Sequence, residues 1–246
     1  MLTSSDIASM IDHSMLQPYL TDYEISAGCE TALKYHTASV CARPCDMPTV
    51  VRRLEGSGIP ACTVIGFPHG SVRPDVKLFE AKRALDDGAK ELDMVINIGR
   101  LRAGDAAYVE DEIASIVSAA HAENAIVKVI LENCYLTFKE IEQACAICVK
   151  ANADFVKTST GYGKYGAKLR DLVLMKQSIT PEMRLKAAGG IRTLDMALLC
   201  RFVGCSRCGA SATEAIVREA QRREAEGTLC EKTQVELDAA LAVETY

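Results

Sequence analysis

Asp154-Phe155-Val156-Lys157-Thr158-Ser159-Thr160-Gly161-Tyr162-Gly163 is a short apolar strand that meets a lysine and runs straight into a hydroxyl-rich glycine turn. A lysine embedded in such a strand would bury a cation, which is costly unless the charge is paired or given up. Given up, it leaves a free amine, the form that attacks carbonyls. The other reading is a strand-end lysine whose ammonium snorkels to solvent over its own alkyl stem. The place of this strand in the order of the chain decides between them.

Outward from it, short apolar runs alternate with helical patterns along the whole chain. Ile11 to Leu16 is a first strand, followed by Thr21 with Glu24 as a capping box. Thr37 to Cys41 is the second, stopped by Pro44, and Ala61 to Phe67 the third, closed by Pro68. Asp75 is placed to cap a helix ending near Gly88. Glu91 to Ile98 is the fourth strand, and a helix runs from about Asp105 with Ile113, Ile116, Val117 and Ala120 at helical spacing. Ile126 to Leu131 is the fifth, with Thr137 and Glu140 boxing the next helix. Phe155 to Lys157 is the sixth, Arg184 to Ala188 the seventh and Arg207 to Gly209 a very short eighth, each followed by a helix. Eight such units without a Pro-, Gly- or Ser-rich linker predict an α/β protein with a (β/α)8 TIM barrel over residues 1–226. Residues 227–246 form a tail with room for one short helix. An open doubly wound sheet is the fallback, but no Gly-x-Gly-x-x-Gly follows the first strand.

The 246 residues suit one barrel, and 49% of them are apolar, enough for a sizeable core. A net charge of −5 gives no overall reason to expect nucleic acid as a partner. No apolar run approaches the roughly 20 residues that span a bilayer, and the amino terminus lacks a signal-peptide pattern. A cytoplasmic protein with no membrane partner is expected. Eleven cysteines, an odd number lying mostly in apolar segments, read as free thiols in a reducing compartment.

In a barrel, catalytic side chains sit at the carboxyl ends of several strands. That rule collects Asp12, Cys41, Asp93, Lys128, Lys157 and Lys186, all inside segments that otherwise read as core. Each alone could be a structural ion pair or an outward-facing residue. Lys157 and Lys186 would lie on neighbouring strands, where two ammonium groups raise each other's cost of protonation. An ordinary lysine is neutral in only about one molecule in 2,500 at pH 7, and a pKa near roughly 7.5 would raise that fraction several hundred-fold. Such an amine forms a Schiff base without metal or cofactor, and none is expected. Asp93 could hold the second lysine or pass protons through a water. Ala187-Ala188-Gly189-Gly190-Ile191 after the seventh strand and Gly209-Ala210-Ser211 after the eighth read as phosphate cradles, the second just before a helix amino terminus.

Lys157-Thr-Ser-Thr-Gly161, Lys186-Ala-Ala-Gly-Gly-Ile-Arg192, Glu91-Leu-Asp-Met-Val-Ile-Asn97, Ile11-Asp-His13 and Val40-Cys41 occur in an arrangement that resembles the 2-deoxyribose-5-phosphate aldolases. These are class I, lysine-dependent aldolases on a (β/α)8 barrel, and the likeness runs from about residue 8 to 226. The resemblance implies that Lys157 forms the Schiff base, that Lys186 lowers its pKa, and that Asp93 takes part in proton relay. It places Asp12 and Lys128 in the substrate pocket, with Cys41 and Thr160 beside them. Gly161, Gly189, Gly190 and Ser211 match positions around the substrate phosphate, to which the cradle reading adds Gly209. The implied substrate is a small phosphorylated sugar. The loop after Gly161 departs from the common glycine-rich run and reads Tyr162-Gly-Lys164-Tyr165-Gly-Ala-Lys168, adding a bulky ring and a cation near the expected phosphate end. Gln17 stands where a lysine is common. Tyr246 is the last residue, and some members of the family end in a tyrosine that reaches the active site.

Other readings stay open at this stage. Cys145-x-x-Cys148 and Cys205-x-x-Cys208 have zinc spacing but fall on an apolar helical stripe and around a core strand. His13, His36, His69 and His121 are dispersed and lack the spacing of a metal-dependent aldolase; His13 fits a hydrogen-bonded group behind the site. A Schiff-base aldolase for another phosphorylated sugar, or a silent sugar-phosphate binder, would share the fold. An exposed apolar helix face would make a homodimer.

Overall fold

Eight parallel strands close on themselves in chain order: β1 (Ile11–Met15), β2 (Ser39–Ala42), β3 (Ala61–Ile65), β4 (Glu91–Val95), β5 (Ile126–Ile130), β6 (Phe155–Lys157), β7 (Arg184–Ala188) and β8 (Arg207–Ala210), with β8 pairing back onto β1. The computed structural model describes residues 2–244, so Tyr246 lies outside the described residues. Closure excludes the open doubly wound sheet.

The strands carry their side chains in two alternating sets, as a pleat demands. Leu92 and Met94 on β4, Val127 and Val129 on β5, Val156 on β6, and Leu185 and Ala187 on β7 belong to one apolar core with the surrounding helices. Their neighbours Glu91, Asp93, Lys128, Lys157 and Lys186 are buried in ion pairs with one another, which places them on the opposite, interior face. Barrels of this kind usually fill the interior with branched apolar residues. Here much of it is filled with paired charge. Asp93 pairs in register with Lys128, and Lys157 with Lys186.

The outer layer is formed by helices α1 (Ser4–Ala8), α2 (Asp22–Tyr35), α3 (Met47–Leu54), α4 (Pro74–Asp86), α5 (Ile98–Arg102), α6 (Ala106–Ala122), α7 (Phe138–Lys150), α8 (Leu169–Gln177), α9 (Leu194–Val203), α10 (Thr213–Ala225) and α11 (Gln234–Val243). Thr21 with Glu24 and Thr137 with Glu140 make the expected capping boxes, Thr193 caps α9, and the tail supplies its short helix as α11. Glu244, just beyond α11, accepts from the backbone N–H groups of Leu169 and Arg170, the first turn of α8.

Two expectations need correction. Asp75 does not cap α4: Arg73 takes the N-cap position with Pro74 behind it, and the Asp75 carboxylate accepts from Arg73 Nε at 3.0 Å. The fourth strand ends at Val95, because Asn97 turns its side chain onto the Arg100 N–H and starts α5. Between β2 and β3 lies α3, which follows the short turn begun by Pro44, the residue that stops the strand. Pro48 sits in its first turn, where the missing N–H costs no hydrogen bond.

Candidate active site

A cavity of about 160 Å³ opens at the carboxyl ends of the strands, with Lys157 and Lys186 in its wall. Asp12, Cys41, Thr160, Gly161, Gly189, Gly190, Gly209 and Ser211 line it as well, together with Ser14, Tyr162 and Arg192. Residues from five strands (β1, β2, β6, β7 and β8) and the loops that follow them therefore meet at one place, although they are scattered from Asp12 to Ser211 in the sequence.

Lys157 Nζ donates to Asp93 Oδ2 at 2.6 Å, and Lys186 Nζ donates to the same oxygen at 2.7 Å. The other oxygen, Oδ1, accepts from Lys128 Nζ at 2.9 Å. Asp12 Oδ2 lies 2.5 Å from Lys186 Nζ, and Asp12 Oδ1 accepts from Arg207 Nη1. Glu91 closes the chain of charges below, 2.5 Å from Lys128 Nζ and 3.0 Å from Arg207 Nη2. Four cations thus share three carboxylates. Burial alone would drive Asp12 and Asp93 toward their neutral forms, but Lys186, Lys128 and Arg207 hold Asp12, and Lys128, Lys157 and Lys186 hold Asp93, well below the usual carboxylate range. Burial likewise opposes the charge on Lys186, yet Asp12 and Asp93 overturn it and hold this lysine above its ordinary value. Lys128 is raised in the same way, against burial, chiefly by Asp93.

This changes the picture of two bare ammonium groups repelling each other. A carboxylate stands between them, and Lys186 is held charged. Asp93 and Lys128 are fully buried and do not line the cavity, so Lys128 is not at the substrate-facing position expected of it. Asp93 acts on the cavity through the lysines it binds.

The loops that rim the cavity are built on local hydrogen bonds. Thr158 Oγ1 accepts from Ala188 N–H and donates to Ala188 O, both at 3.1 Å, tying the end of β6 to that of β7. Thr160 is anchored to Glu132, whose carboxylate accepts from both its hydroxyl and its N–H. Burial raises the pKa of Glu132 even so. Gly189 and Gly190 have φ of +83° and +82°, the left-handed region where a side chain is strained. Gly166 packs on the first of them: a Cβ there would stand 2.1 Å from Gly189 O. Ser211 precedes α10, whose N-cap residue Ala212 makes no side-chain cap, so the amino end of that helix faces the cradle uncapped.

Lys164 does not reach the cavity. Its ammonium lies 5.4 Å from the centre of the Tyr135 ring, and Tyr165 Oη donates to Asn133 O at 3.4 Å. Only Tyr162 of the unusual loop enters the wall, donating its hydroxyl to Leu16 O at 2.7 Å and meeting Phe67 edge-on. His13 lies behind the site, its Nδ1 2.8 Å from Thr213 Oγ1, and burial pushes it down to about 4.

Glu91, Arg207 and Cys62 belong to the charge cluster but do not stand out in the sequence. The available signal is period two: Glu91 is two positions from Asp93, and Arg207 pairs in register with Lys186. Among the described residues, the one close group of three potential metal ligands is Cys41, Cys62 and Asp93; neither CxxC pair belongs to it. Cys145 and Cys148 are buried on α7.

A closed parallel barrel with buried lysines gathered at the floor of its mouth is the layout of a barrel aldolase, a carbon–carbon lyase. Residues 7–219 match the DeoC/LacD family aldolases, and the chain belongs to that family. It is 45% identical over 212 residues to a deoxyribose-phosphate aldolase of Treponema denticola, covering 86% of this chain and 98% of that protein. A crystal structure described as a putative deoxyribose-phosphate aldolase from Coccidioides immitis superposes with a TM-score of 0.86 at 39% identity, covering 89% of this chain and 87% of that one. The deoxyribose phosphate aldolase of Aeropyrum pernix, described as tetrameric, superposes with a TM-score of 0.83 at 31% identity over 88% and 92% of the two chains. No helix among the described residues is long and apolar enough to cross a membrane.

Proposed function

We propose that the protein reversibly cleaves 2-deoxy-D-ribose 5-phosphate to D-glyceraldehyde 3-phosphate and acetaldehyde through a Schiff base on Lys157. The observation that carries this is the position of Lys157: its amine faces the cavity and shares one oxygen of Asp93 with Lys186. Attack needs the neutral amine. The cluster holds one cation more than it holds carboxylates, so the proton of Lys157 can leave without creating a net buried charge.

Lys157 Nζ adds to C1 of the open-chain sugar, and loss of water gives an iminium that accepts the electrons of the C2–C3 bond. The C3 hydroxyl passes its proton to a water held at Lys186 as the C2–C3 bond breaks and glyceraldehyde 3-phosphate departs. The enamine is then protonated at C2 by a water held at Lys186, whose charge Asp12 and Asp93 maintain. Hydrolysis of the imine frees acetaldehyde and restores the amine. The N–H groups around Gly161, Gly189, Gly190, Gly209 and Ser211, with the uncapped end of α10, are the assigned phosphate cradle. Ser14, Thr160 and Arg192 are left to the sugar hydroxyls and the phosphate rim.

Borohydride trapping with labelled acetaldehyde tests this reading: the label is expected on Lys157, and a protein that traps none is not a Schiff-base aldolase. A second reading, another phosphorylated sugar, is favoured by one observation, Tyr162 in the cavity wall. Efficient trapping with poor turnover of deoxyribose 5-phosphate selects it. The cytoplasmic assignment is supported by eleven free cysteines, which a reducing compartment preserves. Self-association is assigned to the exposed face of α4 around Val76 and Phe79, and sedimentation of Phe79→Lys checks it.

A further inference from the structure

The reaction leaves one pair of nucleophiles inside the barrel unused. Cys41 on β2 and Cys62 on β3 are register partners, and both side chains turn inward, away from the main apolar core. Their sulfurs and one Asp93 oxygen all lie within 4.8 Å of one another. Cys62 Sγ is 3.2 Å from Asp93 Oδ1 and 3.4 Å from Lys128 Nζ. Cys41 is part of the cavity wall, whereas Cys62 is sealed behind it. Neighbouring strands run about 4.7–4.9 Å apart, within the Cα separation that a disulfide accepts. A cation at this trio would compete with three ammonium groups already on Asp93, so the chemistry belongs to the thiols.

We propose that Cys41 and Cys62 form a two-thiol modification site in the wall of the catalytic cavity, oxidised to a disulfide by small peroxides. The cavity admits the peroxide to Cys41 first. The Cys41 sulfur attacks one peroxide oxygen, an S–O bond forms as the O–O bond breaks, and the departing hydroxide takes the thiol proton as water. The Cys62 sulfur then attacks the resulting sulfenic acid; the S–S bond forms, the S–O bond breaks, and the second hydroxide leaves as water with the proton of Cys62. Two thiols lose two electrons and one peroxide becomes two waters. The hydrogen bond from Cys62, with Lys186 and Lys157 nearby, lowers the pKa of Cys41 against burial and against Asp93. Burial raises Cys62, which therefore waits as the resolving thiol. Oxidation removes the donor that Cys62 offers Asp93 and draws its sulfur toward Cys41, so the lysine cluster loses one of its supports. That effect on turnover rests on the aldolase reading; formation of the bond does not.

The test is peptide mapping of the intact protein after hydrogen peroxide, beside borohydride trapping of acetaldehyde on the same samples. Peptides containing Cys41 and Cys62 are expected to appear linked, with trapping reduced at least about tenfold and restored by dithiothreitol. In Cys62→Ser the first oxidation has no resolving thiol, so Cys41 proceeds to the sulfinic acid and dithiothreitol no longer restores trapping. A linked pair drawn from Cys200, Cys205 and Cys208 instead, or a Cys41 that stays reduced while exposed Cys45 and Cys230 oxidise, overturns the proposal. If Cys62→Ser does not fold, the wild-type map decides alone. Failure of trapping before any peroxide counts against the Schiff-base reading and leaves the disulfide map to stand or fall separately.

Discussion

Lys157 and Lys186, register partners on adjacent strands, donate to a single carboxylate oxygen, Asp93 Oδ2. The arrangement separates the two amines by their remaining partners. Lys186 has a second carboxylate in Asp12, whereas among the described residues Lys157 has Asp93 as its one carboxylate ion-pair partner. Both side chains line the cavity. Asp12 and Asp93 hold Lys186 as the cation, and Lys157 is the proposed nucleophile.

Replacing the nucleophile follows directly. Lys157→Leu is expected to lower cleavage of deoxyribose 5-phosphate by at least about 1,000-fold and to abolish borohydride trapping, because Lys186, the neighbouring amine in the cavity wall, is held charged by Asp12 and Asp93. The barrel should survive: Leu fits an interior site, and Asp93 keeps Lys128 and Lys186. Near wild-type turnover in a folded Lys157→Leu protein would sink the assignment.

Asp93 holds three ammonium groups together, and Asp93→Asn removes the charge that balances them. Leaving buried cations without their partner typically costs about 3–5 kcal/mol. Unfolding in urea should show a loss of that order. Turnover should drop at least about 100-fold as well, since the lysine pair loses its common acceptor. A variant as stable as wild type would mean that Asp12 and Glu91 suffice to neutralise the cluster.

What the sequence reveals and what it hides follow from the same pleat. Lys157 and Lys186 stand out because a charge inside an apolar run is anomalous wherever it occurs. Asp93 does so for the same reason, between Leu92 and Met94. Glu91 and Arg207 are equally central to the cluster, but each opens its strand, where a charge reads as a solvent-facing boundary. Their inward direction is a property of register, which single strands do not display. Cys62 hides differently: it is an apolar residue by composition, and only its partner across the sheet gives it a chemistry. The loop after β6 shows the reverse error. Lys164 looks functional by proximity in sequence and is carried away onto Tyr135 by the turn. The helix α3 is obscured by prolines that break strands yet fit the first turn of a helix.

Gly166, which no motif singles out, supports the proposed phosphate cradle by packing on Gly189. Its missing side chain lets the loop after β6 pass against Gly189 O, where a Cβ would have only 2.1 Å. Gly166→Ala should push Gly189 out of place and raise KM for deoxyribose 5-phosphate by at least about tenfold, equivalent to ~1.4 kcal/mol of lost binding. Acetaldehyde has no phosphate, so its trapping at Lys157 should change little. Equal losses in both assays would show that the substitution damages the lysine cluster instead.

On the acid side, stability depends on His13, outside the cavity, as well as on the buried carboxylates. Asp12 and Asp93 lie below the ordinary carboxylate range and Lys128 and Lys186 above the ordinary lysine range. The carboxylates' share of stability is therefore present above about pH 4 and lost below it, and the lysines' share is present below about pH 10 and lost above it. His13 titrates between these limits. Unfolded, it takes a proton near pH 6.5; folded, burial delays this to about 4. In that interval the unfolded chain binds more protons, so stability falls as pH drops from 6.5 toward 4. The difference between pH 7 and pH 4.5 amounts to about 2–3 kcal/mol from this one group. Urea unfolding of wild type and His13→Gln at the two pH values should show a shallower pH dependence in the variant by that amount, even if its stability at pH 7 is lower because Thr213 loses its ring partner. Parallel pH profiles would mean that His13 accepts its proton in the folded barrel.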